Sequence, residues 1–153
     1  MARTVWLLRH GDAEPHGARE DFERRLTARG ERQATGAGRA LSRLGVRFEA
    51  VYSSPRVRAL ETARLACAEL ECAPIVHEAL GGGFDARDAG ELLAAHRGSV
   101  AVMLVGHEPD LSGLVGALTG ARIEMKKGGL AAIGGGALLA LLRPREIELV
   151  AGG

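Results

Sequence analysis

Two apolar runs in this chain end at a histidine, and the residue types around these histidines are those that bind anions. The run Thr4 to Leu8 leads into Arg9-His10-Gly11, and the run Val100 to Val105 leads into Gly106-His107-Glu108-Pro109. An imidazole can act as a nucleophile or a proton carrier, and a guanidinium binds phosphate oxygens through paired hydrogen bonds. A histidine at the end of each of the two apolar runs, with an arginine beside the first, indicates phosphate chemistry.

The apolar runs predict buried strands, which would present both histidines at the same edge of a sheet. Open α/β sheets bind ligands outside the carboxyl ends of their strands, and Gly11 permits a tight turn directly after the first strand. A third exit follows the short predicted strand Phe48 to Tyr52. There Ser54-Pro55 predicts a helix start, with serine as the N-cap and proline at the first helical position. Arg58, one turn in, could reach an anion held by the helix N-terminus.

The remaining pattern alternates strands with helices and predicts the α/β class with a largely parallel sheet. Thr27 is the expected cap of a helix that runs to about Leu44 before Gly45, and the helix that starts at Ser54 should run to about Glu71. The other predicted elements are an edge strand at Pro74 to His77, helices at Asp88 to His96 and Pro109 to Leu118, and closing, antiparallel strands at Leu130 to Ile133, Ala137 to Leu142 and Ile147 to Val150.

Composition narrows the class of protein. The chain has 153 residues, 46% of them hydrophobic and 25% charged, which fits one globular domain with a substantial core. A net charge of +1 offers no general case for nucleic-acid binding, and the longest apolar stretch is too short and glycine-interrupted for a membrane span. Met1-Ala2-Arg3 leaves no room for a signal peptide before the first strand. Cys67 and Cys72, about 140° apart on a predicted helix, suit neither a disulfide nor a zinc site. We expect a reduced, cytoplasmic protein.

Several segments together resemble the histidine phosphatase superfamily, whose members have the phosphoglycerate mutase-like fold. Leu8 to Ala13 resembles the family's first signature, Ser54 to Ala63 its second block and Val105 to Pro109 its third. Arg24 to Thr27 and Met125 to Gly129 are similar to the short bacterial, SixA-type branch. The resemblance spans most of the chain, with each piece at a predicted strand or helix boundary. It implies a three-layer α/β/α sandwich with a mostly parallel central sheet, as a single domain over residues 1–153.

The resemblance also implies a role for each site residue. His10 would be the nucleophile that takes up the phosphoryl group as a phosphohistidine. Arg9, Arg58 and His107 would bind the phosphate and its transition state, with Arg24 as a further phosphate contact. Neighbouring cations should depress the pKa of His10 and keep it neutral, whereas His107 would serve best when a bound phosphate favours its protonation. No metal or other cofactor is expected, because arginines would balance the phosphate charge.

The general acid is left open by the sequence. Larger members of the family use a carboxylate between the second and third blocks to protonate an alcohol leaving group. The candidates here are Glu78, Asp85 and Asp88, with Glu78 favoured because it follows the predicted edge strand. SixA-type enzymes would not need such an acid, since an imidazole leaves more easily than an alkoxide.

The sequence therefore predicts a metal-independent phosphohistidine phosphatase that acts on a protein, with a histidine phosphotransfer domain as the expected substrate and with neither nucleic acid nor membrane as a partner. Two alternatives remain: a phosphatase of small phosphomonoesters, and a non-catalytic phosphate-binding module. The segment between Thr62 and His107 is too short for a large lid, which favours an open cleft and a protein-borne phosphate. The oligomeric state is open, a monomer included.

Overall fold

A six-stranded sheet forms the centre of the computed structural model, which describes residues 3–98 and 101–152. Its strands are β1 (Thr4–Arg9), β2 (Phe48–Ser53), β3 (Ile75–Val76), β4 (Ala101–Gly106), β5 (Leu130–Gly134) and β6 (Ala137–Leu142). They lie side by side in the order β3-β2-β4-β1-β5-β6. The first four in this order pair in parallel, and β5 and β6 are antiparallel. The predicted mostly parallel sheet is confirmed.

Helices cover both faces of the sheet and complete the three layers. They are α1 (Ala28–Arg43), α2 (Val57–Leu70), α3 (Ala86–Leu93), α4 (Asp110–Thr119) and α5 (Pro144–Ala151). On one face, α1, α2 and α5 pack on the side chains of Trp6 and Leu8. On the other face, α3 and α4 pack on Val5 and Leu7. The alternation along β1 follows from the pleat of a strand buried on both sides.

The register of the two central strands brings both histidines to one edge. Strand β1 pairs with β4 so that Leu8 lies opposite Val105 and Arg9 opposite Gly106. His10 and His107 are therefore the next residues beyond each strand, as predicted. The amide of His10 donates to the carbonyl of Gly106 (3.1 Å), which extends the pairing to the exit itself.

The predicted boundaries of two helices are wrong. The helix that was expected to start at Ser54-Pro55 begins at Val57, with Arg56 in an extended conformation as its N-cap. The Ser54 hydroxyl instead lies against the ring of His107, as described below. Helix α3 starts at Ala86, not at Asp88, because Asp85 and Asp88 form a capping box around its first turn. It ends at Leu93, before the predicted end at His96. Of the strand predicted at Val100 to Val105, Val100 lies outside the described residues.

The third closing strand is also wrong, since Ile147 to Val150 belong to helix α5. Pro144 occupies its first turn, and the Glu146 side chain accepts from the Arg143 amide at 2.9 Å. Ile147 is buried among residues of α1 and α2, which favours a helix there over a seventh strand.

Cys72 lies beyond α2, which ends at Leu70, and both cysteines are free thiols. In the part of the chain that the structure describes, no helix has the length and apolar character needed to cross a membrane.

Candidate active site

His10 is held as a neutral imidazole with one nitrogen unengaged. Its Nδ1 lies 2.7 Å from the carbonyl oxygen of Gly11, and because a carbonyl can only accept, Nδ1 carries the proton. The lone pair is then on Nε2, which has no hydrogen-bond partner in the described part of the chain. Burial lowers the pKa of His10 to about 4, with further lowering by the charges of Arg58 and Arg9. A neutral imidazole with a free Nε2 is the form that can attack phosphorus.

His107 faces His10 across the strand exits. The two ring centroids are 5.2 Å apart and the rings are tilted by 53°. The hydroxyl of Ser54 lies 2.7 Å from Nε2 of His107 and also accepts from the amide of Arg56 at 3.1 Å. Burial lowers the pKa of His107 to about 3, and the nearby His10 and Arg58 lower it further, so the ring is neutral in the free site. Nδ1 is the nitrogen left for a ligand, since it is buried without a partner.

Two arginines supply the positive charge of the site. Arg9 extends from the end of β1, and its Nη1 donates to the carbonyl of Met125 at 2.8 Å. Arg58 is the second residue of α2 and is 7% exposed. The Nε atoms of both arginines are buried and lack a partner among residues 3–98 and 101–152, as does Nδ1 of His107. Unpaired buried donors are costly in a folded protein, and an anion among Arg9, Arg58 and His107 would satisfy these three.

Asp21 joins Arg58 to two further arginines, and sequence reasoning missed it. Its carboxylate accepts from Nε of Arg24 (3.0 Å), from Nη1 of Arg56 (2.7 Å) and from Nη2 of Arg58 (3.3 Å), and its carbonyl accepts from Nη1 of Arg58 (2.8 Å). Desolvation raises the pKa of Asp21, but the three arginines outweigh it and hold the pKa below its usual value. Arg24 is buried and Arg25 exposed, so Arg24 is the residue that reaches the site's surroundings.

The turn after His10 is fixed to helix α1 by close backbone contacts. A Cβ added at Gly30 would lie 2.0 Å from the carbonyl oxygen of Asp12, and one added at Gly11 would lie 2.6 Å from that of Gly30. The amide of Asp12 donates to the Gln33 side chain at 2.8 Å, and the amide of Thr27 donates to the Asp12 carbonyl at 3.0 Å. Both glycines are therefore required for the approach of the helix to the turn that follows His10.

Thr62 joins the same turn to helix α2. Its hydroxyl accepts from the amide of Gly11 at 3.1 Å and donates to the carbonyl of Arg58 at 2.7 Å. One fully buried side chain thus connects the residue after His10 with the residue that carries the Arg58 guanidinium. The distance between His10 and Arg58 is set by this contact as well as by the sheet.

The candidate general acids lie in ordinary structural positions. Asp85 is the N-cap of α3 and accepts from the amides of Arg87 and Asp88, each at 3.0 Å. These hydrogen bonds lower the pKa of Asp85, and the bond from the Asp88 amide has the largest effect. A lowered pKa opposes a role as proton donor. Asp88 accepts from the Asp85 amide at 3.1 Å, and Glu78 is exposed at the start of a short 3-10 helix, Glu78–Gly81. Among the described residues, no three His, Cys, Asp or Glu side chains form a metal-binding group.

Comparison with known proteins identifies the class to which this fold and site belong. Residues 5–81 match the family model of the histidine phosphatase superfamily (branch 1). An uncharacterized protein of Picosynechococcus sp. is 35% identical over 144 residues, which cover 87% of this chain and 86% of that protein. The chain belongs to the histidine phosphatase superfamily, and this membership makes it a phosphatase.

More distant relatives show how widely the fold is used. The mitochondrial serine/threonine-protein phosphatase Pgam5 of Drosophila ananassae is 40% identical over 70 residues, which are 46% of this chain and 24% of that protein. The solved structure of the protein histidine phosphatase SixA with tungstate superimposes with a TM-score of 0.84 at 24% identity, over 94% of this chain and 99% of that one. A phosphoserine phosphatase of Entamoeba histolytica superimposes with a TM-score of 0.69 at 16% identity, over 92% and 96%. The predicted phosphoglycerate mutase-like fold is confirmed.

Proposed function

We propose that this phosphatase removes phosphate from a phosphohistidine of a protein and that His10 carries the phosphoryl group in between. The observation that supports this most directly is the state of His10. Its Nδ1 proton is committed to the Gly11 carbonyl, its pKa is about 4, and Nε2 is free beside Arg9 and Arg58. A module that only bound phosphate would need the arginines, but it would not need a neutral imidazole among them.

The proposed reaction has two steps. First, the phosphohistidine of the substrate takes a proton from solvent on its free ring nitrogen, the Nε2 lone pair of His10 attacks phosphorus, and the bond from phosphorus to the substrate ring breaks so that a neutral imidazole leaves with the electron pair. Second, water attacks the phosphohistidine, loses a proton to solvent, and inorganic phosphate leaves as neutral His10 is restored. Arg9, Arg58 and His107 would donate to the equatorial oxygens in both steps, with Arg24 supporting Arg58 through Asp21.

The capping roles of two of the three candidate acids favour a nitrogen leaving group. The conjugate acid of imidazole has a pKa of about 6.5, whereas an alkoxide resembles hydroxide, whose water has a pKa of roughly 16. Departure of an imidazole therefore needs little help from a protein acid. Asp85 and Asp88 are engaged in capping α3, which supports a phosphohistidine substrate over an alkyl phosphate, and the variant Glu78→Gln tests the third candidate.

The test is a substrate comparison with the intact chain. We expect kcat/KM to be highest for a phosphohistidine peptide, lower for p-nitrophenyl phosphate and lowest for a phosphoserine peptide, with the same values in EDTA. A phosphorylated histidine phosphotransfer domain should be a substrate as well. If the phosphoserine peptide is hydrolysed as efficiently as the phosphohistidine peptide, the substrate assignment is wrong. Inhibition by EDTA that a divalent metal reverses would contradict the metal-free mechanism.

A further inference from the structure

A groove of about 700 Å³ lies between α1, α2 and α5, outside the His10 site. Arg29, Arg32 and Gln33 of α1 line one side, and Arg145 and Ile147 of α5 line the other. The groove is large enough for several residues of a bound polypeptide, and none of the four catalytic candidates contributes to its lining.

The topology places one end of this groove next to the active site. Helix α1 starts beside the nucleophile's turn, because Gly30 contacts Gly11 and Asp12 directly. Strand β6 is antiparallel to β5, which is itself antiparallel to β1, so β6 and β1 run in the same direction. Helix α5 follows β6 and therefore also starts at the edge that carries His10. Arg29, Arg32 and Arg145 thus mark the end of the groove that borders the site.

Two of these arginines carry uncompensated charge. Arg39, further along the groove, pairs with Glu69 at 3.1 Å, and Arg145 lies 3.7 Å from Glu146. Arg29 and Arg32 are exposed and have no carboxylate partner among residues 3–98 and 101–152. Exposed guanidinium groups without a partner bind carboxylates with little cost of desolvation.

Two carboxylates, Glu31 and Glu148, also line the groove, and Arg39 and Arg145 already have carboxylate partners, so the positive charge open to a ligand is that of Arg29 and Arg32. This pair of unpartnered arginines is a local feature, because the chain as a whole has a net charge of only +1. A patch of this kind selects a partner of opposite charge without attracting anions to the rest of the surface.

We propose that this end of the groove docks an acidic segment of the phosphoprotein, adjacent in space to its phosphohistidine. The inference rests on the proposed function and adds to it a surface that recognises the protein and not the phosphate. Arg29 and Arg32 would pair with carboxylates of the substrate while its phosphohistidine enters the site past the start of α1. The charge at the groove favours acidic over basic substrates.

The test uses three phosphohistidine substrates: the free phosphoamino acid, a peptide flanked by glutamates and the same peptide flanked by lysines. The test variant is Arg29→Glu/Arg32→Glu, which suits the first turns of a helix because a negative charge is favourable there. The control is Arg43→Glu/Arg47→Glu, which changes the net charge equally. Arg43 is about 21 Å from Arg29 along α1, and Arg47 directly precedes β2 at the opposite edge.

We expect the wild type to prefer the acidic peptide, and the test variant to lower kcat/KM for that peptide by roughly tenfold, as two lost exposed ion pairs would. Turnover of the free phosphoamino acid should be unchanged in both variants, and the control should keep the wild-type preference. Equal kcat/KM for the two peptides in the wild type, or the same loss in the control, would overturn the docking surface. Failure of the wild type on all three substrates would instead reject the proposed function.

Discussion

Three histidines of this protein are equally buried, yet their surroundings differ in kind. His10 is 7% exposed, and His96 and His107 are each 8% exposed. In the candidate active site, Arg58 lies near the rings of both His10 and His107 and Arg9 near that of His10, and each ring has one nitrogen without a partner among the described residues. His96 has both nitrogens engaged, with Nδ1 on the Glu49 carboxylate and Nε2 2.6 Å from the Tyr52 hydroxyl.

The difference shows that burial does not identify a reactive histidine. What distinguishes the site pair is a combination of nearby cations, which favour the neutral ring, and an unsatisfied nitrogen, which can bind or attack. His96 instead connects the segment after α3 to strand β2 and has the bonds of a structural residue. The predictions below test this contrast, beginning with the largest effect.

Replacing the nucleophile should abolish activity. His10→Ala removes the nitrogen that forms the bond to phosphorus, so turnover should fall below detection while circular dichroism and the melting temperature show a folded protein. With labelled substrate and an alkaline quench, the wild type should yield a phosphoenzyme that is stable in base and lost in acid, and the variant should yield none. Activity of more than a few per cent in the variant would remove His10 from the mechanism.

His10 and His107 should become protonated only at a pH well below that of an ordinary histidine. Because the pKa values are about 4 for His10 and about 3 for His107, their ring signals in NMR should remain those of neutral imidazole from pH 8 down to about 5. Both folded-state pKa values lie below the ordinary value of 6.5, so the unfolded chain binds more protons in that range. The free energy of unfolding should therefore decrease as the pH falls from about 6.5 towards 4. A His10 signal that titrates near 6.5 would contradict the proposed environment.

Loss of Arg58, one of the two arginines proposed to bind phosphate, should strongly weaken the binding of oxyanions. Arg58→Ala should cost about 1.5–3 kcal/mol in the binding of phosphate, vanadate or tungstate, as expected for a lost charged hydrogen bond. This corresponds to an increase of roughly 10- to 150-fold in the competitive inhibition constant. Arg64→Ala, an exposed residue on the same helix, is the matched control and should leave the constant unchanged. Similar constants for the two variants would show that Arg58 does not contact the anion.

The structural histidine should give the opposite result. His96→Ala leaves the Tyr52 hydroxyl and the Glu49 carboxylate without their partner, so the free energy of unfolding should drop by about 1–3 kcal/mol. At a temperature where the variant is folded, kcat/KM should change less than about threefold, because none of its partners is in the site. Chemical denaturation and steady-state kinetics on the same samples separate the two effects. A loss of turnover comparable to that of His10→Ala would end the contrast between the two regions.

The smallest effects are expected at the carboxylates. Glu78→Gln, Asp85→Asn and Asp88→Asn should each alter the phosphohistidine rate less than about tenfold, well short of the 10²–10⁴ that general acid–base catalysis supplies. Asn caps a helix about as well as Asp, so Asp85→Asn should also fold. A loss of a hundredfold or more at any one of them, on an alkyl phosphate that the wild type hydrolyses well, would favour a small-molecule phosphatase.

The sequence predicts the placement of His10 and His107 well because its signals are local. Each histidine directly follows an apolar run, so recognising the strand is enough to place the side chain at a sheet edge, and β1 and β4 prove to be neighbours. The start of α1 was equally readable, since the Thr27 side chain accepts from the Gly30 amide in the expected way. Such features depend on a few consecutive residues.

The failures concern contacts between distant residues. Ser54 looked like a helix cap, but its hydroxyl lies against His107, which is 53 positions away. Asp21 stands in a loop of mixed charge, and only the folded chain brings three arginines from two segments around it. At α5 a local signal was present, Pro144 followed by Glu146, but the β-branched and apolar residues after it resemble a strand.

The close contact between Gly30 and the turn after His10 makes that turn a part of the first helix's folding unit. With the Asp12 amide bonded to Gln33 and the Thr27 amide bonded to Asp12, that turn cannot open while α1 stays in place. The amide hydrogen of Asp12 should therefore exchange with solvent at a rate set by the opening of α1, and not at the fast rate of a surface loop. The reactive geometry is then lost and regained together with α1 in one cooperative event.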